Sequence, residues 1–527
     1  MAAVRALARC RARAEAAGAG VFVGGGSAGA GAGAGPGEWA GAAAAAAAAS
    51  DARRATGGGG LRSALDGVPV AVKENFLWKG RPCTAASGVL RGFTAPVSAT
   101  VVRRLEALGG VLVGQTNMDE LGMGSFGLNS AHRPTPGPRG RVAGGSSSGS
   151  AAAVAAGAAL LGVGSDTGGS VRLPAAYCGL AGLKPSYGRL SRSGLIAYAS
   201  SLDCPGIIAR EVVTAVAAVA ALQGPDGEDM ACLDADPELA QRHEFRDLFE
   251  GARAEGLAQT APALLEGLRV GIPQEYHVEE MHPEVLEAWA QAAEALAGHG
   301  AEVVPVSMPH TELALPAYYL IATAEAASNF ARYDSLRYGF SESSAGDPRG
   351  DDHTADDLHA ALVATRTSAF GEEVRGRLML GTFAVSAENA AEYHTKAQQI
   401  RTLVLRDFRE AFRSVDVLLA PTAVSAAPTA AEAAEMGVVQ GYATDAMTVP
   451  ASLAGLPAMS VPVAQSRASG LPIGLQLVGR YGAELSLLAP GRALEVLRGE
   501  MRGELVAPFE GWEGGGDCSG AGGHGSD

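Results

Sequence analysis

Short apolar runs of strand length alternate with longer stretches of helical periodicity along most of this chain. Val68 to Lys73 reads as a strand, Thr100 to Leu108 as a helix closed by Gly109 and Gly110, and Val111 to Val113 as the strand that follows. The same grammar returns at Leu268 to Ile272 (strand), Val285 to Ala297 (amphipathic helix ending near Gly298) and Glu302 to Val306 (strand). Later strands are predicted at Val415 to Ala420, Met459 to Val463 and Ile473 to Val478. Strands interleaved with helices predict an α/β fold. With no linker and no internal repeat, the expected unit is one domain over residues 1–500.

Three stretches leave this pattern. Residues 24–60 are a low-complexity insert whose eight consecutive alanines suit a short helix between glycine tracts. SESSAGDPRGDDHTADD, residues 341–357, reads as a solvated acidic insertion, and residues 514–527 as a disordered tail.

Composition narrows the function. A net charge of −15 excludes the broad basic surface that non-specific nucleic-acid binding needs, so any RNA is expected on a partner. The six cysteines form no CxxC pair and no metal-ligand spacing, which predicts a reducing compartment and no metal. The apolar run from Ala151 to Gly164 is shorter than the roughly 20 residues that span a bilayer, so no membrane helix is expected. The N-terminal MAAVRALARCRARAEAAG, without an acid before Glu15, fits either an organellar transit peptide or an ordinary first helix.

Candidate chemistry is concentrated in Gly144 to Ser170, GGSSSGSAAAVAAGAALLGVGSDTGGS, where two glycine-serine loops bracket small apolar residues. A P-loop is excluded because neither loop ends in GK[ST], and a dinucleotide fingerprint because Thr167 stands where its third glycine belongs. GSSSG, residues 145–149, matches the GxSxG nucleophile elbow around Ser147. That elbow needs a strand before it, and RPTPGPRGRVAG reads as loop. A helix with glycine-rich ends packed on a sheet explains the small residues of the middle and nothing at the ends. Lys73, closing the apolar GVPVAVK run, is either a surface charge at a strand end or a buried amine whose desolvation lowers its pKa and makes it a base for a serine.

Lys73 in AVKEN, then GGSSSGSAAAVAAG, then GSDTGGSVRLPAAYCGLAGLKPSYGRLSRSGL resemble the motifs of the amidase signature family in order and spacing. The likeness runs from about the first helix to about residue 500. It implies a mixed central sheet covered by helices on both faces and a Ser-cis-Ser-Lys triad. Matched residue by residue, the triad is Ser170 as nucleophile, Ser146 as the cis-peptide serine and Lys73 as base, with Thr167, Gly168 and Gly169 in the oxyanion hole.

Four further stretches, TNMDELGMGSFGLNS from Thr116, AYYLIATAEAASNFARYDSLRYG from Ala317, LGTFAVSA from Leu380 and TDAMTVPASLAGLPAMSVP from Thr444, resemble the branch of glutaminase subunits of tRNA-dependent amidotransferases. That branch implies glutamine hydrolysis, with ammonia passed to a partner B subunit that uses ATP and Mg to convert Glu-tRNA(Gln) to Gln-tRNA(Gln), and a small C subunit clamping the two. No cofactor is implied on this chain. The glutamine pocket implied is Asp445 for the α-amino group, Arg377 for the α-carboxylate, and a tyrosine of the Tyr318/Tyr319 pair, Tyr319 foremost. The bland alternatives are Asp445 as a helix N-cap and Arg377 as a surface arginine. The implied setting is mitochondrion or chloroplast stroma, or cytoplasm for a bacterial chain.

The chain departs from the family pattern at Ser148, where glycine is usual, in the loop from His132 to Arg141, and in SLDCPGIIAR, which is one residue short. All three triad positions are kept, so an active enzyme is expected. The rival readings are a free-standing amidase for small or acyl amides and an inactive scaffold.

Overall fold

Ten strands carry the computed structural model, which describes residues 2–17, 20–23, 36–55, 61–241, 265–334, 336–342 and 355–498. They are β1 Pro69–Lys73, β2 Val111–Thr116, β3 Leu161–Asp166, β4 Ala181–Lys184, β5 Cys204–Ala209, β6 Arg269–Pro273, β7 Glu302–Val306, β8 Val417–Pro421, β9 Ala458–Gln465 and β10 Pro472–Gly479. All join one mixed sheet in the order β2-β1-β3-β5-β4-β9-β10-β8-β6-β7. β2, β1 and β3 are parallel at one flank, β8, β6 and β7 are parallel at the other, and the strands between pair antiparallel.

Side-chain alternation along β1 shows why helices cover both faces. Val70 and Val72 pack with Val101 and Leu105 of the helix Thr100–Ala107 and Val216 of the helix Val212–Leu222. Ala71, pointing the other way, packs with Ala151 and Val154 of the helix Ser148–Ala155 and Leu7 of the helix Ala2–Ala16. Every residue of Ser148–Ala155 is buried, so its small side chains serve close approach to the sheet. The fold is the α/β architecture expected.

The strands and helices predicted from periodicity all form, with ends shifted by a few residues at most. β3, β4 and β5 are not visible in the sequence, because LGVGSD, AGLK and CPGIIA dilute their apolar positions with glycine and polar groups although every residue is buried. The alanine tract differs from expectation in extent. It belongs to a 20-residue helix, Pro36–Ala55, that buries Ala43 and Ala47 against Ala2–Ala16, and Asp51 accepts the N–H groups of Ala3 and Val4. The N-terminal stretch thus folds as a first helix on the core, with Ala3, Leu7 and Cys10 buried. Residues 514–527 and most of the acidic stretch lie outside the described residues. Among the described residues, no helix is long and apolar enough to cross a membrane.

Candidate active site

β1 and β3 are parallel neighbours, so their carboxyl ends open on the same side of the sheet, and chemistry gathers there. Lys73 is the last residue of β1 and is fully buried, which excludes the surface-charge reading. Its Nζ lies 2.7 Å from Ser146 Oγ, 2.9 Å from Ser165 Oγ and 3.4 Å from Ser165 O. Burial disfavours the ammonium and brings Lys73 down from 10.5 to about 7, against the opposing pull of Asp119, Asp166 and Asp203. The amine is therefore poised to exchange a proton near neutrality.

Ser146 follows a cis peptide bond from Gly145 and precedes the helix Ser148–Ala155. The N–H of Ser147 donates to the carbonyl of Ser170 at 3.1 Å, which ties the two serine loops together. Ser147 itself is enclosed, and its hydroxyl donates to Ser165 O at 3.2 Å. The segment before it holds a 3-10 turn at Pro138–Gly140 and no strand, so the GxSxG match has no elbow geometry. Ser148 is accommodated by a bond of 2.9 Å to the Thr135 hydroxyl, which also accepts from Asn117.

Ser170 ends the turn between β3 and the helix Arg172–Tyr177 and is half-buried. No acceptor among the described residues takes the N–H of Gly168, Gly169 or Ser170. Glycine is required in that turn: a Cβ on Gly168 would stand 2.5 Å from the Tyr318 hydroxyl, and one on Gly169, at φ +146°, would stand 2.2 Å from Thr448 Oγ1. Beneath the turn, Asp166 and Arg172 form a buried ion pair with two bonds of 3.0 Å. Arg172 spends its remaining N–H groups on Thr448 O, Gln476 Oε1 and Ser452 Oγ. Burial alone would raise Asp166, but the Arg172 charge and hydrogen bonds outweigh it and hold the carboxyl below its ordinary range.

The three residues suggested for the substrate converge. Tyr319 donates its phenol proton to Asp445 Oδ2 at 3.0 Å, and its ring lies 5.2 Å from the Arg377 guanidinium carbon. Tyr442 stacks on Tyr319 at 3.9 Å and flanks the same guanidinium at 5.2 Å. Asp445 also accepts from Ser125 Oγ at 3.0 and 3.1 Å, and burial pushes its carboxyl up to about 6. Arg377 is 4 % exposed, bonded to Glu373 at 2.6 Å and to the Tyr198 hydroxyl at 3.0 Å. Neither bland reading holds: Arg377 is not on the surface, and Thr448, not Asp445, stands at the N-cap of the helix Val449–Leu453.

Several members of this site escape a reading of the sequence. Ser125, Tyr442 and the loop that carries both Tyr198 and Asp203 are far apart in the chain and form no recognisable motif. Asp119 is another: its N–H donates to Ser146 O, and its carboxylate accepts from Gly127 and Asn129. Burial pushes Asp119 up to about 7. Its one sequence signal is a carboxylate in TNMDELGMG, too common a feature to single out.

A buried amine on one serine, a second serine tied beside it, and a glycine turn with open N–H groups are what acyl transfer from an amide requires. Comparison with known proteins agrees. The family model described as Amidase matches residues 38–488. The A subunit of glutamyl-tRNA(Gln) amidotransferase from Anaeromyxobacter sp. (strain K) is 45% identical over 465 residues, covering 88% of this chain and 87% of that protein. Its counterpart from Chlorobium luteolum is 42% identical over 444 residues, covering 83% and 85%. Among solved structures, the A subunit of the Thermotoga maritima glutamyl-tRNA(Gln) amidotransferase matches with a TM-score of 0.65 and 35% identity, covering 82% of this chain and 83% of that one. The chain belongs to the amidase signature family of enzymes.

Proposed function

We propose that this chain is the glutaminase subunit of a tRNA-dependent amidotransferase. Lys73 is the base, Ser146 the relay and Ser170 the nucleophile. Neutral Lys73 takes the Ser146 proton while Ser146 takes that of Ser170, and Ser170 Oγ attacks the side-chain amide carbon of glutamine. The N–H groups of the Thr167–Ser170 turn receive the oxyanion. The proton held by Lys73 returns through Ser146 to the departing nitrogen, which leaves as ammonia and a glutamyl ester on Ser170. Water then cleaves the ester to glutamate by the same relay.

The observation that carries this reading is the convergence of opposite charges on Tyr319, whose hydroxyl donates to Asp445 and whose ring lies 5.2 Å from the Arg377 guanidinium carbon. Asp445 suits an α-ammonium, and Arg377, beside the stacked rings of Tyr319 and Tyr442, suits an α-carboxylate. A hydrolase for uncharged amides has no use for such a clamp. The ammonia is passed to a partner B subunit that uses ATP and Mg on Glu-tRNA(Gln), and a C subunit holds the two; the chain itself needs no cofactor. The acidic charge fits tRNA held mainly by the partner.

Co-expression with candidate B and C subunits tests the reading. A co-purifying complex that releases glutamate from glutamine, and whose Ser170→Ala variant does not, is the expected result. A lone chain active on a neutral aryl amide and inert to glutamine would replace this reading with a free-standing amidase.

A further inference from the structure

Asp203 immediately precedes β5 and is buried. Its Oδ1 accepts the Thr167 hydroxyl proton at 2.7 Å, and its Oδ2 accepts the N–H groups of Tyr198 at 2.8 Å and Ala199 at 3.0 Å. Thr167 begins the glycine turn that carries Ser170. Tyr198 is the residue whose hydroxyl accepts from Arg377 at 3.0 Å, and its own carbonyl is held by Asn329 at 3.2 Å. One carboxylate thus spans the end where the amide would react and the end where a carboxylate would bind.

We infer that Asp203 is a positioning residue that fixes the glycine turn relative to the Tyr198–Arg377 clamp, so that both ends of one substrate fit at once. This rests on the reading of the pocket as a glutamine site. Two acceptor oxygens meet three donors on two separate segments, an arrangement that no neutral apolar side chain reproduces. Burial lifts Asp203 to about 6, so at neutral pH the group is still chiefly the acceptor-only carboxylate that this geometry needs. Asparagine can keep the link, because its oxygen can face the two N–H groups while its amide donates to the Thr167 oxygen.

The test is steady-state glutamine hydrolysis by the full chain with whatever partners co-purify, each variant first checked for a native unfolding transition. Thr167→Val is expected to lower kcat with KM held, Tyr198→Phe to raise KM with kcat held, and Asp203→Ala to do both by about tenfold or more. Asp203→Asn is expected to restore both constants most of the way. If Asp203→Ala does not fold, the Thr167→Val and Tyr198→Phe pair decides alone. Unchanged kcat in Thr167→Val, or unchanged KM in Tyr198→Phe, overturns the inference while Ser170→Ala still abolishes turnover. Turnover that survives Ser170→Ala overturns the glutaminase reading instead.

Discussion

Lys73 Nζ and Ser146 Oγ meet at 2.7 Å although 73 positions separate them in the chain. With Lys73 brought by burial to about 7, the proposed base is half-protonated near neutral pH. Protonation removes the base, so kcat/KM for glutamine is expected to fall on the acid side with an apparent pKa near 7. A pH profile of the wild type checks this. Lys73→Arg keeps a permanent charge and is expected to cost about 10²–10⁴-fold at every pH.

The Asp166–Arg172 pair holds the floor of the glycine turn, with both side chains fully enclosed. Arg172→Leu leaves Asp166 buried without its counter-charge, and a loss of stability of about 3–5 kcal/mol is expected. Urea unfolding of wild type and variant measures it. A midpoint unchanged in the variant would mean that the pair does not organise the turn.

Arg377 and Asp445 are expected to act on binding more than on the chemical step. Arg377→Lys gives up the planar fork beside the stacked rings of Tyr319 and Tyr442, and Asp445→Asn gives up the charge proposed to face an ammonium. Each is expected to raise KM for glutamine roughly ten- to hundredfold, the value of about 1.5–3 kcal/mol for a hydrogen bond to a charged group. Saturation curves in which kcat holds and KM rises would bear this out; a fall in kcat alone would argue against it.

His132 lies in the loop that departs from the family pattern, and its Nε2 meets Glu74 Oε2 at 2.9 Å next to Lys73. Burial would lower the imidazole, but the hydrogen bond and charge of Glu74 outweigh it and raise His132 above its ordinary 6.5. A folded-state value above the unfolded one gives stability that is full below about pH 6.5 and is lost as pH rises through the raised value. The stability gap between wild type and His132→Gln is therefore expected to narrow from pH 6 to pH 8, roughly the span of a shifted histidine. Denaturant midpoints at the two pH values show whether it does.

The sequence disclosed those parts of the fold whose chemistry is local. β1 and the helix Thr100–Ala107 carry their own periodicity, and GSDTGGS carries its own turn. β3 does not show itself, because Gly162 and Gly164 occupy positions that an apolar strand would fill, and only the neighbouring strands and helix bury it. Lys73 can be suspected from its place at the end of an apolar run, whereas its burial cannot be read there. Asp203 and Tyr198 are the least legible: each gains its meaning from a partner on another element, Thr167 for one and Arg377 for the other. The helix Pro36–Ala55 shows the opposite error: the alanines suggest a short helix, and the helix runs for 20 residues, because alanine is the best helix former.

Trapping the covalent intermediate addresses the nucleophile most directly. The purified complex is mixed with isotopically labelled glutamine, quenched in acid within the first turnover and digested, and the peptides are sequenced by mass spectrometry. A labelled glutamyl ester on Ser170, absent from the Ser170→Ala variant, is the expected result. A label on Ser147 or another residue, or rapid glutamate release by Ser170→Ala with no ester at all, would contradict it.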